Sequence, residues 1–531
     1  MKRTTRLLCL VLGLLMLLGA FAACGGDETE TTGQKKPTPT TPQQTGNGGG
    51  DTPTTETPTT GGEVDGGDEN KGEDPRAEFW VIGEDGFVVD GLDYEAIDFS
   101  NEDGNAKFRL LLCQAWEQWT FPRELGSSTD PMRSAAYLRN IELEDMLGIQ
   151  FEINSVNGHS SYRAEWMAAA TTAVGEGCEM FCGYSRWMAM HAQEEWLLNL
   201  YKYDYPNVLM PWYPLQLDQY SQYNCLFFVT GTSTTRTTAE GNTCFADLAL
   251  LNDMELPSPL QTVIKGEWTV AKLHEYTSAF HNLAVETAGS DDPKYGIAVE
   301  NPYAFYYGTG NRYTRLNTKT GKQELACVTE ADLQRASECV EEVMKVLDTA
   351  EAYTAAPPGN QLMSEKRAAF VVCGMLYITM VSTENNYAAL PIPKRNTDQE
   401  TYLTQTTWAF EVFGVPKTTS NAEMSTVTLE AVYSSDYRLM APLFFEKNLK
   451  GRYTNSSDGA AIYDIIRNSR VIDFGHISQM CEVGPENAWN ACFQANPQNV
   501  FVVQMQNSVN KDNRLNKELK NLLAVYKKYG A

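Results

Sequence analysis

Several signatures of chemistry are missing from this chain. Its 531 residues include five histidines, none in an H-E-x-x-H pattern, and no serine sits in a G-x-S-x-G elbow. A helix-borne zinc site and an α/β-hydrolase nucleophile therefore have no motif to rest on. The adjacent carboxylates Glu194/Glu195 and the near pair Glu142/Glu144 point different ways on a helix, so neither makes a glycosidase acid and nucleophile. Cys178, Cys182 and His191 follow no recognised zinc spacing, and the "GTG" at 308–310 is too short to cradle a phosphate. No catalytic residue, metal ligand or cofactor is assigned. Positive charge is scarce as well: 42 Lys and Arg stand against 68 Asp and Glu, a formal charge of −26. No long basic stripe appears, which excludes nucleic acid as a partner. Beyond the first two dozen residues no apolar run reaches the length of a bilayer span.

That first run is informative. Lys2, Arg3 and Arg6 precede seventeen residues, 7–23, that are almost all Leu, Val, Met, Ala and Gly. A basic head, then an apolar stretch and small residues, is the pattern of a secretory signal, which sends the rest of the chain out of the cytoplasm. Phe21-Ala22-Ala23-Cys24 resembles a bacterial lipobox, which implies that Cys24 becomes the lipidated first residue of the mature chain. An uncleaved anchor is the other reading, since seventeen residues lie at the lower limit for spanning a bilayer. Residues 25–76 then contain no aromatic residue, one large aliphatic (Val64), and eleven Asp or Glu against four Lys or Arg. Such a segment cannot bury enough apolar surface to offset its ordering entropy. It is expected to be a disordered linker with a root-mean-square span of roughly 40 Å.

Residues 77–531 are long enough for at least two hydrophobic cores. Ten cysteines remain there once Cys9 leaves with the signal and Cys24 is modified. An even number on an exported chain permits disulfides, with Cys225/Cys244 and Cys481/Cys492 the pairs close in sequence. The pattern is α/β. "KFRLLLCQ" (107–114) reads as a buried strand, and a helix then opens on Asp130 and Pro131 and ends at Gly148. "IQFEINSV" (149–156) is a second strand, followed by a helix, and "EMFCGYS" (179–185) is a third. Repeated strand–helix alternation predicts a parallel sheet. "CLFFVTGTSTTRTT" (225–238) reads as a strand breaking into a Thr-rich crossing to a second lobe. There "GEWTVAKLHEYTSAFHNLA" is expected to form a helix, "YGIAV" a strand, and 329–349 an amphipathic helix. "WAFEVFGVPK" (408–417) is a strand returning to the first lobe.

Four stretches carry a family resemblance: "GEWTVAKLHEYTSAF" (266–280), "YAALPIPK" (387–394), "WAFEVFGVPK" (408–417) and "DIIRNSRVIDFG" (464–475). The body resembles the extracellular solute-binding proteins of bacterial ABC importers, of the carbohydrate-binding type. The resemblance implies a two-lobed periplasmic-binding-protein-like type II fold with a hinged cleft. Lobe 1 would take about 106–232 and 391–435, and lobe 2 about 233–390 and 436–531. It also implies a small-molecule solute, a carbohydrate, and a permease partner, with the bilayer held through Cys24 on the extracellular or periplasmic side. The segment "FWVIGEDGFVVDGLDYEAIDF" (79–99) falls outside it.

Ligands of open α/β sheets collect beyond the carboxyl ends of the strands, and aromatic residues cluster there. Trp116 and Trp119 follow the first strand, Tyr184, Arg186 and Trp187 the third. Tyr303, Tyr306 and Asn311 lie in "NPYAFYYGTGNRYTR", Arg236 in the crossing, and Trp408 at the return. Aromatic faces cover the C–H faces of sugars while Asn and Arg bond their hydroxyls. A cell-surface carbohydrate hydrolase and a non-transport sensor or adhesin on the same scaffold are the alternatives.

Overall fold

The computed structural model describes residues 74–530, apart from 114–116, 126–129, 158, 215–216, 218–219, 232–233, 354–358, 383–385, 408, 455, 479–483, 494–499 and 511–512. The lipobox Cys24 and the linker expected over 25–76, except for its last residues from Asp74, lie outside them. The described residues belong to one compact unit.

Two sheets organise this unit. In chain order the first takes β1 (Ala106–Cys113), β2 (Ile149–Val156) and β3 (Met180–Tyr184); the second takes β4 (Asn242–Asp247) and β5 (Tyr295–Val299). A small hairpin pairs β6 (Thr314–Asn317) with β7 (Lys322–Leu325). The second sheet is completed by β8 (Ala352–Tyr353), β9 (Ala368–Gly374) and β10 (Tyr387–Leu390). Of the last three, β11 (Thr404–Gln405) pairs with β13 (Arg470–Val471), and β12 (Glu411–Gly414) returns to the first sheet.

The first sheet has the order β12-β3-β1-β2, with β1 parallel to both β2 and β3 and β12 antiparallel to β3. Its local logic is readable in the helix Pro131–Leu147. The Asp130 carboxylate accepts the Met132 amide at 2.9 Å, Pro131 occupies the first turn, and Gly148 closes the helix at φ 64°. Gly148 is required twice over, because a Cβ there would also strike the Asp98 carboxylate. Deeper in the lobe the Arg139 guanidinium pairs with Asp436, both buried. The chain therefore still packs on the first lobe beyond residue 435.

The second sheet has the order β10-β4-β9-β5-β8. Every residue of β4, β9 and β10 is buried, as expected of strands covered on both faces. The helix Glu330–Leu347 covers it with Ala336, Cys339, Val340, Val343, Val346 and Leu347 inward. Thr329 caps it, accepting the Asp332 amide at 3.2 Å.

Two expectations need correction. "GEWTVAKLHEYTSAFHNLA" forms two helices, Val270–Ser278 and His281–Thr287, broken at Ala279–Phe280. "CLFFVTG" is buried but joins no sheet, its strand-like pairing limited to isolated bridges at Cys225 and Val229. Its threonines bond elsewhere: Thr230 Oγ1 donates to the Glu411 carbonyl at 2.8 Å, and Thr234 Oγ1 to Thr237 Oγ1 at 2.7 Å. Local hydroxyl bonding competes with a strand ladder, and Thr235–Ala239 is helical. The nine described body cysteines, Cys225, Cys244 and Cys492 among them, are buried free thiols; Cys481 lies outside the described residues.

The segment before β1 lies along the first lobe as a strap. Arg76 donates to the carbonyls of Val208, Met210 and Tyr213, and Trp80 Nε1 to that of Leu209 at 2.8 Å. Tyr205 donates to the Gly91 carbonyl and Arg438 to that of Val88, each at 3.0 Å. Between the sheets the chain crosses in paired segments. Gly241 bridges Thr406, the Asn242 amide donates to the Gln405 carbonyl at 2.9 Å, and Thr404 N–H donates to Ser469 O at 2.8 Å.

Candidate functional site: a polar junction between the lobes

Asp473 begins the site. Its carboxylate accepts the amides of Gly475 and His476 at the start of the helix Phe474–Ile477. It also accepts the Tyr313 amide at 2.7 Å and the Thr314 hydroxyl at 3.1 Å. One buried side chain thus fixes this short helix against β6. The helix presents His476, whose Nδ1 lies 2.5 Å from Glu486 Oε1. Glu486 sits in the first turn of the helix Pro485–Cys492, where the helix dipole favours a negative charge. Tyr307 donates its hydroxyl to the same carboxylate oxygen. The ring of Tyr307 lies 5.7 Å from that of His476, and Tyr303 6.3 Å on a tilted plane.

The first lobe reaches this cluster from the helix Ser185–Gln193, which starts where β3 ends. Arg186 adds an attractive field at Glu486, and the Gln193 amide donates to the Ser478 carbonyl at 3.1 Å. Burial alone would raise the Glu486 pKa; His476, the Tyr307 hydroxyl and Arg186 outweigh it and hold the carboxyl below its usual range. Burial opposes a proton on His476, but Glu486 and Asp473 overcome it and raise the imidazole pKa. The junction therefore holds an ion pair out of water.

Beside it, at the crossing, Arg236 pairs with Glu240 at 2.7 Å, and Thr407 Oγ1 donates to the other Glu240 oxygen at 2.7 Å. Tyr184, at the end of β3, is raised in pKa by burial and by a hydrogen bond with Cys113 at the end of β1, with Arg236 opposing. Several buried polar atoms on these segments have no hydrogen-bond partner among the described residues: Trp187 Nε1, Thr235 Oγ1, Thr406 Oγ1, the Gln405 amide and Ser478 Oγ.

The sequence-derived residues divide accordingly. Arg186 and Tyr303 flank the ion pair, Tyr184 and Arg236 meet at the crossing, and Trp187 lies on the same helix as Arg186, 5.9 Å from its guanidinium. Trp187 is also approached by the guanidinium of Arg163, 5.6 Å from its ring. Trp119 is used within the first lobe, its indole N–H donating to Asp130 at 2.8 Å and its ring 6.0 Å from Phe444. Tyr306 and Asn311 belong to the second-lobe interior. Tyr306 donates to the Arg312 carbonyl at 2.8 Å and packs on Tyr307, Trp489 and Phe501. Asn311, 1 % exposed, bonds Thr309 and Arg335. Trp116 and Trp408 lie outside the described residues. Sequence reasoning missed His476, Glu486, Glu240 and Thr407, and it favoured Tyr306 over its neighbour Tyr307. The available signal was the scarcity of histidine, which makes each one worth placing.

No family model matches the sequence, and no curated protein matches it. Solved structures do. UgpB from Mycobacterium tuberculosis, in complex with glycerophosphocholine, is similar with a TM-score of 0.50 at 13% identity, over 78% of this chain and 99% of that one. The ABC substrate-binding protein Lmo0181 from Listeria monocytogenes, in complex with cycloalternan, gives 0.46 at 12% identity, over 80% and 98%. The GacH receptor of Streptomyces glaucescens, solved unliganded and with acarbose, gives 0.45 at 13% identity, over 80% and 98%. At such identities the likeness to UgpB is one of fold: this chain has a two-lobed, periplasmic-binding-protein-like α/β architecture.

Proposed function

We propose that this chain is the lipid-anchored, extracellular solute-binding subunit of an ABC importer. It captures a solute, a sugar or oligosaccharide, between its lobes and delivers it to a membrane permease, without chemistry on the ligand. The observation that carries this reading is the junction itself. Arg186 from one lobe reaches Glu486, His476, Tyr303 and Tyr307 from the other, beside crossing segments that bear buried hydroxyl and amide groups with no partner among the described residues. A polyhydroxy solute offers donors and acceptors for such groups and C–H faces for the rings. UgpB, similar in fold, was solved with a small polar solute.

The test is a thermal-shift panel of mono- and oligosaccharides, amino acids and peptides, followed by solution scattering with any hit. A ligand at about a hundred times its Kd raises stability by about 2.7 kcal/mol, and closure should lower the radius of gyration. No stabilising solute, or turnover of glycosides by the pure protein, would defeat the proposal. Its anchoring half is checked separately: Cys24→Ala should release the protein from the membrane fraction.

A further inference from the structure

The C-terminal helix Arg514–Gly530 runs against the charge of the whole molecule. It carries Arg514, Lys517, Lys520, Lys527 and Lys528 against one carboxylate, Glu518, in a chain of formal charge −26. Leu515, Leu519, Leu522 and Tyr526 face inward, which leaves the five cations exposed. Carboxylates on this face are already matched. Glu518 pairs with Arg514 at 2.9 Å, and Glu195 with Lys528 and the Tyr529 hydroxyl. Lys517, Lys520 and Lys527 are in none of these pairs.

The face is also concave. Tyr223, Asn516, Leu519, Lys520, Leu523, Ala524 and Lys527 line a hollow of about 330 Å³. Lys322 reaches over the outer wall, its Nζ 5.9 Å from the centre of the Tyr223 ring. An apolar floor, a tyrosine wall and two lysines on the rim suit a group that is anionic at one end and apolar at the other. Tyr220 is within electrostatic range of both Arg76, close to the first described residue, and Tyr526 of the helix.

We infer that this basic face is where the body rests on anionic lipid headgroups of the bilayer. The inference rests on the anchored reading above, and it goes beyond that reading in giving the tethered body an orientation. An acidic body is repelled by an anionic leaflet, so only a locally basic face can approach, and only within about a Debye length.

The test uses the chain from residue 24 onward with Cys24→Ala, so that neither signal nor lipid contributes. It is sedimented with phosphatidylcholine vesicles, with and without phosphatidylglycerol, at low and physiological salt. Binding should require phosphatidylglycerol and weaken with salt. The triple variant Lys517→Gln, Lys520→Gln, Lys527→Gln should lower partitioning roughly a hundredfold, at about a fivefold loss per lysine. Glutamine keeps helix propensity, and unchanged unfolding would show the fold intact. Lys345→Gln, on a different helix, should leave partitioning unchanged. Equal binding to neutral vesicles, no binding to either, or equal loss with Lys345→Gln would overturn the inference. Solute binding is measured on the same samples, so failure of the importer reading and failure of the docking face are distinguishable.

Discussion

Glu430, on the first-lobe helix Ala422–Ser435, and Glu486, at the junction, are both buried and both accept a tyrosine hydroxyl, yet they differ in acidity. Glu430 accepts from Tyr213 at 2.9 Å, the Asn207 amide at 2.9 Å and Trp212 Nε1 at 3.2 Å. Burial still pushes it up to about 8, against these donors and with Asp90 adding to the rise. Glu486 suffers the same burial but has the His476 imidazole and the field of Arg186, and it falls below the usual range. Neutral donors satisfy lone pairs; a nearby cation decides the charge. The first lobe thus hides a carboxyl that prefers its proton, whereas the junction keeps one ionised.

The largest expected effect comes from that contrast. Glu486→Ala should cost about 3–5 kcal/mol, because it strands a buried imidazole and a tyrosine hydroxyl. Glu430→Gln keeps an acceptor and should cost about 1 kcal/mol. Urea unfolding gives both numbers, and equal losses would erase the distinction.

Next comes pH. Glu430 is raised in the folded state, so its contribution is full below about 4.5 and is lost as pH climbs through about 8. Glu411, fully buried and raised to about 7, acts in the same direction. Stability should therefore decline over this interval by up to about 1.4 kcal/mol per pH unit for each group, and Glu430→Gln should flatten the decline. Glu486 has the opposite sign. Its contribution is present above about 4.5 and lost as pH falls through its lowered pKa.

Trp187→Ala separates the two regions by function. It should weaken solute binding by about 1.5–3 kcal/mol in titration calorimetry, whereas Glu430→Gln should leave binding unchanged. If the tryptophan variant unfolds readily while its folded fraction binds normally, Trp187 is a core residue.

The smallest effect concerns His191, which lies among aromatic rings, 4.8 Å from Trp166 and 5.0 Å from Trp196. With burial foremost and Arg163 assisting, its pKa drops to about 3. Its contribution is present above about 6.5 and lost as pH falls toward 3, about 1–2 kcal/mol by pH 5. His191→Leu should remove that part of the acid sensitivity.

Much of the fold was legible in the sequence where one local rule dominated. β2 and β5 span the residues their apolar runs predict, and Asp130, Pro131 and Gly148 bound their helix. The Thr-rich crossing was not legible, because hydroxyls that bond locally look the same in sequence as a β-branched strand. The junction was legible only by side. Tyr306 and Tyr307 are adjacent on one helix and so point about 100° apart, which sends one into the core and the other to Glu486. His476 and Glu486 sit on separate short helices, and no spacing rule joins them.

β12 has a consequence for how the molecule is made. It pairs with β3, yet the whole second sheet lies between them in the chain. A polypeptide emerging from its N-terminus therefore cannot finish its first sheet until the second sheet has been delivered. Until then β3 presents a bare strand edge, the kind of surface that recruits stray chains. Such long-range closure is slow, so a pulse-labelled hydrogen-exchange experiment should find β9 protected before β3. The order of completion runs against the order of synthesis.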